Sequence, residues 1–142
     1  MAVPEPVPGL VIRYSYLWYN EAAAGAEEGR KDRPAVIVLA LRRSGDETVV
    51  LVAPVTHSAP ANADAAIEIP AATKQRLGLD DARSWIVADD LNQFVWPGPD
   101  VRATPDGSFA YGELPAPLFS EVRKRVLALA RTGGGRVSKR TD

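Results

Sequence analysis

The run Pro34 to Leu41 (PAVIVLAL) is the strongest constraint in this chain. It is unbroken, apolar and β-branched, and eight residues is strand length, so it belongs in the centre of a sheet with both faces covered. Pro34 is tolerated because it opens the strand. A polar turn with Gly45 follows, Arg42 to Glu47, and then a second strand-like run from Thr48 to Thr56. The two runs are expected to pair as a hairpin. Centred on that turn, partner numbers sum to about 89, which sets Arg33 beside Thr56.

Other segments build around this hairpin. Leu10, Ile12, Tyr14, Tyr16 and Trp18 alternate with Arg13 and Ser15, as in a half-buried strand. The span Tyr19 to Asp32 has no apolar stripe and reads as a long loop, a type that is usually functional or mobile. Short strands are expected at Ile67–Ile69, at Trp85–Ala88 and around Phe109–Tyr111. A short helix fits Ala71–Leu77, stopped by Gly78. Val95 to Pro99 (VWPGP) reads as a rigid turn. Leu118, Phe119, Val122, Val126, Leu129 and Ala130 form one stripe at helical spacing, with Pro115 and Pro117 at its start and Gly133–Gly135 at its end. The connections are too short for βαβ crossovers. The expected fold is therefore mainly β (α+β): a small, partly open barrel with one short helix and a long C-terminal helix. Residues 1–132 form one domain, and 133–142 form a flexible basic tail.

Composition removes several chemistries. The 142 residues include no cysteine and a single histidine, His57. Thiolate chemistry, disulfides and a multi-histidine metal site within one chain are excluded. Asp80-Asp81 and Asp89-Asp90 are adjacent pairs, and neighbouring side chains on a strand point to opposite faces, so neither pair makes a good metal clamp. No metal or other cofactor is expected. No apolar run approaches the roughly 18 residues of a membrane span. The N-terminal stretch has neither a basic nor a continuous apolar region of the kind that directs secretion. The expected location is the cytoplasm, away from membranes. Net charge is −1, but it is uneven. Residues 46–118 hold four basic against eleven acidic side chains, and residues 119–142 hold seven against two.

Three features carry potential chemistry. Arg33 precedes Pro34, which forces extended backbone, so the guanidinium stands at a strand mouth with Arg30 and Lys31 nearby. A guanidinium there suits bidentate phosphate binding, or it is a plain surface arginine. Thr56 and Ser58 supply hydroxyls at the exit of the partner strand. Guanidinium and hydroxyl together would form an anion pocket. His57 is a natural proton carrier near neutral pH, or a surface residue facing elsewhere.

The opening strand GLVIRY, the segment Gly29–Val38 (GRKDRPAVIV) and the segment Leu51–Ser58 (LVAPVTHS) together resemble the MazF/PemK toxin family of bacterial toxin–antitoxin systems. The Arg-Pro that opens one strand and the Thr that closes the next stand 23 positions apart, as in that family. The resemblance implies an SH3-like barrel, a homodimer and a metal-independent endoribonuclease. That enzyme would cut single-stranded RNA, including mRNA, through a 2′,3′-cyclic phosphate. A cognate antitoxin would fill the RNA groove. Carried over, Arg33 is the catalytic arginine and Thr56 the catalytic hydroxyl. Glu28 lies five before Arg33, where some members place an acidic residue. The base is then Glu28 first or, from its own chemistry, His57. Arg30, Lys31, Ser58, Tyr16 and Trp18 would contact RNA, the aromatic rings by stacking on bases. The acidic middle of the chain keeps two alternatives open: a non-catalytic barrel module binding a peptide or protein, and a gyrase-directed toxin on the same fold.

Overall fold

A computed structural model describes residues 3–19, 32–43 and 45–140. The described residues form nine strands and two helices: β1 (Leu10–Ser15), β2 (Asp32–Arg42), β3 (Thr48–Thr56), β4 (Ala66–Glu68), α1 (Ala71–Arg76), β5 (Trp85–Val87), β6 (Asp90–Val95), β7 (Val101–Arg102), β8 (Ala110–Glu113), α2 (Ala116–Arg131) and β9 (Arg136–Lys139). The class is mainly β with a short and a long helix, as expected. Most of the anticipated loop at Tyr19–Asp32 lies outside the described residues.

The apolar run lies where its composition requires. β2 sits between β1 and β3, antiparallel to both. Its alternate side chains enter two separate cores. Val36 and Val38 join Ala53, Val55 and Ile86 on one face, while Ala35 and Ile37 join Ile12, Tyr14, Val52 and Phe94 on the other. Each buried aliphatic side chain contributes about 1.5–3 kcal/mol. α2 closes the first core with Leu118, Phe119, Val122, Val126 and Leu129, the stripe read from its spacing. Both flanking strands then divide. β3 pairs with β6 near its start and β5 near its end, and β1 pairs with β8 and β7.

The hairpin register is the expected one where it matters. Ala35 opposes Pro54, Val36 opposes Ala53 and Ile37 opposes Val52. A bulge beyond Ile37 then slips the ladder by one, so Leu39 meets Leu51 and Leu41 meets Val49. The slip affects only the turn half, and the outer half keeps its pairing. β2 opens earlier than expected, at Asp32. Pro34 lies just past the last β3 pair, so its missing N–H leaves no gap in that ladder.

Two expectations need correction. β1 ends at Ser15, not Trp18. The backbone of Leu17 is bound instead by a buried side-chain amide: its N–H donates to Asn92 Oδ1 (3.0 Å), and its carbonyl accepts from Asn92 Nδ2 (2.7 Å). The stretch read as a flexible tail is strand β9 over Arg136–Lys139, parallel to β6. Its anchor is Arg140, whose side chain is 1% exposed. The guanidinium pairs with Asp100 (3.1 Å), donates to the Ser15 carbonyl (2.6 Å) and to Asn92 Oδ1 (3.1 Å), and lies over the Tyr14 ring. A pairing so distant along the chain leaves no local sequence signal.

Removing one partner of a buried ion pair strands the other charge, at about 3–5 kcal/mol. Arg140→Ala should lose stability on that scale in urea denaturation, and the Arg140→Ala/Asp100→Ala double variant should lose less than the sum of the two single changes.

Candidate active site

The outer end of the β2–β3 ladder opens into a cleft of about 510 Å³. Arg33 reaches it from β2, and Thr56, His57 and Ser58 reach it from the end of β3. The ladder register brings these residues to one place. Trp18 forms another part of the wall, with the Arg33 guanidinium 5.1 Å from its ring centroid. Such stacking holds the cation flat and directional. Trp18 is placed by its neighbours: Asn92 fixes Leu17, and Asp90 accepts hydrogen bonds from the Tyr16 hydroxyl (2.7 Å) and the Tyr19 N–H (3.2 Å).

Tyr16 itself is 1% exposed, so it offers no ring face to a base, contrary to what the family resemblance implied and in keeping with the apolar face on which alternation puts it. It is a core residue packed edge-on to Tyr14 and Trp18. Burial, reinforced by the adjacent Asp90 carboxylate, pushes its hydroxyl well above the ordinary tyrosine range. Burial also pushes the Asp90 carboxyl up, against the pull of its two hydrogen bonds.

Beside His57 the cleft holds residues that sequence reading did not select. Lys74 of α1 is buried, and its ammonium donates to Asp80 Oδ1 (2.5 Å), to Ser84 Oγ (2.6 Å) and to the Ala82 carbonyl. Asp80 Oδ2 meets His57 Nε2 at 2.7 Å. The Lys74 hydrogen bond is the main influence holding the Asp80 carboxyl below its usual range. Arg13 of β1 and Tyr111 of β8 also line the cleft, and Arg13 reaches Asp32 (3.7 Å). Thr56 Oγ1 accepts from the Ser58 N–H at 3.3 Å.

Among the described residues the lining carries three basic side chains (Arg13, Arg33, Lys74) and two carboxylates (Asp32, Asp80). An arginine fork with adjacent hydroxyls suits the oxygens of a phosphodiester. Of the residues selected from sequence, Arg33, Thr56, His57, Ser58 and Trp18 converge here. Glu28, Arg30 and Lys31 lie outside the described residues. Arg13 had a faint signal, as an outward position on an alternating strand. Lys74 and Asp80 had none, because their link to His57 depends on how α1 folds back over the sheet.

A small, mainly β protein with a cleft at its hairpin mouth, lined by arginine and hydroxyl side chains, is the class this architecture defines. Residues 15–95 match the family described as PemK-like, MazF-like toxin of type II toxin–antitoxin systems. Among solved structures, the fold is similar to a chain in the crystal structure of MazE–MazF (Form III) from Deinococcus radiodurans. The identity is 20%, the TM-score 0.52, and the match covers 92% of this chain and 98% of that one. No curated protein matches. The chain belongs to the PemK-like, MazF-like family of type II toxins. Among the described residues no helix is long and apolar enough to cross a membrane.

The raised Asp90 carboxyl has a consequence for stability. Its folded pKa exceeds the unfolded one, so the folded state binds this proton more tightly. Ionised Asp90 therefore weighs against the fold at neutral pH, and the burden lifts as pH falls through the folded value. Denaturation across pH should show wild type gaining on Asp90→Asn as the medium is acidified below neutral.

Proposed function

We propose that this toxin is an endoribonuclease that cuts single-stranded RNA, including mRNA, by internal transphosphorylation. The observation that carries the reading is the convergence of Arg33 and Thr56 on one cleft at the open end of the hairpin. Family membership supports it.

The reaction uses the RNA's own 2′-hydroxyl as nucleophile. The 2′-oxygen bonds to phosphorus as the bond to the 5′-oxygen breaks, giving a 2′,3′-cyclic phosphate and a 5′-hydroxyl. The 2′ proton passes to a base, and the departing 5′-oxygen takes one up. Arg33 stays protonated, so its part is electrostatic: it holds the non-bridging oxygens as charge builds on them. Thr56 donates its hydroxyl proton to one of those oxygens. The stacked Trp18 keeps the guanidinium in place and offers a ring to an unstacked base. The base is Glu28 or His57. No step requires a cofactor.

The family also supports a cognate antitoxin that covers this cleft, a homodimer and action in the cytoplasm. The similar Deinococcus radiodurans structure is one of MazE with MazF, which fits such an antitoxin partner for this chain.

Loss of one preorganised oxyanion donor lowers turnover by about 10²–10³. Arg33→Ala should cut an mRNA transcript at least a hundredfold more slowly in a gel assay, with an unchanged circular dichroism spectrum. Cleavage at the wild-type rate sinks the assignment. If the wild-type protein leaves RNA whole on induction but causes DNA damage, the gyrase alternative takes over. Normal growth on induction favours the peptide-binding module.

A further inference from the structure

The cleft holds a hydrogen-bonded series of Lys74, Asp80 and His57, in which only His57 has a place in the transphosphorylation chemistry. We propose that His57 is the general base of the cleft, and that Asp80, anchored by Lys74, is the positioning residue that orients its ring. This rests on the nuclease reading and deepens it.

Lys74 is the fixed end of the series. An ammonium has three protons, and here three oxygens take them: Asp80 Oδ1, Ser84 Oγ and the Ala82 carbonyl. The side chain is 5% exposed and fully committed, so it is a fixed cation and not a proton carrier. It secures Asp80 from below, and the Ala82 N–H adds a second bond to the same carboxylate oxygen (3.2 Å). The other oxygen, Oδ2, is left for His57 Nε2 at 2.7 Å. The Lys74 contact holds this carboxyl ionised at neutral pH, and an ionised carboxylate only accepts. The proton between them therefore belongs to Nε2.

The tautomer follows from that. Neutral His57 carries its hydrogen on Nε2 and its lone pair on Nδ1. Its side chain is 56% exposed on the cleft wall, close to the chain position of Thr56. Nδ1 is the atom that takes the 2′-hydroxyl proton as the 2′-oxygen attacks phosphorus. The imidazolium so formed faces the Asp80 carboxylate. A carboxylate that orients the ring through one nitrogen while the other nitrogen does the chemistry is a recurrent solution in hydrolases. Among the described residues, the other charged or titratable groups of the cleft are Arg13 from β1, Asp32 and Arg33 from β2, Lys74 from α1 and Tyr111 from β8. Asp80 is the carboxylate in direct contact with the His57 ring.

With a single histidine in the chain, the ring gives one unambiguous nitrogen NMR signature. The wild-type protein should show the Nε2–H tautomer at neutral pH, and finding Nδ1–H overturns the proposal without any variant. In RNA cleavage, His57→Ala should lower kcat by about 10²–10⁴. Asp80→Asn keeps an acceptor but removes the charge. It should lower kcat tenfold or more with little change in KM, and move the acid limb of kcat/KM to lower pH. The double variant should be no slower than His57→Ala alone. A merely structural Asp80 would leave the limb where it is. If Arg33→Ala is inactive but His57→Ala cleaves normally, the nuclease reading stands and this assignment falls. If wild type cleaves no RNA, both fall.

Discussion

Everything in the cleft depends on how β2 and β3 are paired at their outer halves. A strand has a side-chain period of two, so a slip of one residue would send Arg33 or Thr56 to the opposite face. Two features keep that from happening. Alternate residues of β2 are buried in two different cores, so any slip would exchange a full set of side chains between them. The single irregularity in the ladder falls beyond Ile37, toward the turn. The chain absorbs its mismatch at the end away from the chemistry, where Leu39 and Leu41 are exposed.

The other walls of the cleft are held by polar groups buried among apolar ones. Asp90 and Asn92 at the start of β6 bind the backbone and side chains of residues 16–19. They do for that irregular stretch what a neighbouring strand does for a regular one. Lys74 does the same for the loop around residues 80–84. Site residues on irregular backbone are thus held by saturated hydrogen-bond donors and acceptors, which restrict geometry more narrowly than apolar packing does. On the proposed nuclease reading, a phosphodiester entering between these walls would meet donors already fixed in direction, so little reorganisation would be needed as charge shifts.

Much of this was legible in the sequence because it is carried by local pattern. The apolar run, the turn and the helical stripe each extend over several residues and have a definite period. Together they gave the central hairpin, the position of α2 and the meeting of Arg33 with Thr56. The misreadings came from pairings between distant positions. Tyr16, assigned to RNA from the family resemblance, is a core residue that donates to Asp90, 74 positions on. The basic C-terminal stretch reads as solvated because each charge looks unpartnered locally, yet Arg140 meets Asp100 in the interior. Asp80 was weighed only against its neighbour Asp81 as a metal ligand, when its partners are Lys74 and His57. Charge composition could not separate these cases, since a buried pair and two solvated charges contribute the same sum.

The location of Arg140 also ties the last strand to the cleft. One guanidinium meets the Asp100 carboxylate, the Ser15 carbonyl and Asn92 Oδ1, and the same amide of Asn92 holds the backbone of Leu17, next to Trp18. A change at the end of β9 is therefore felt at the ring that stacks on Arg33, although no residue of β9 lines the cleft.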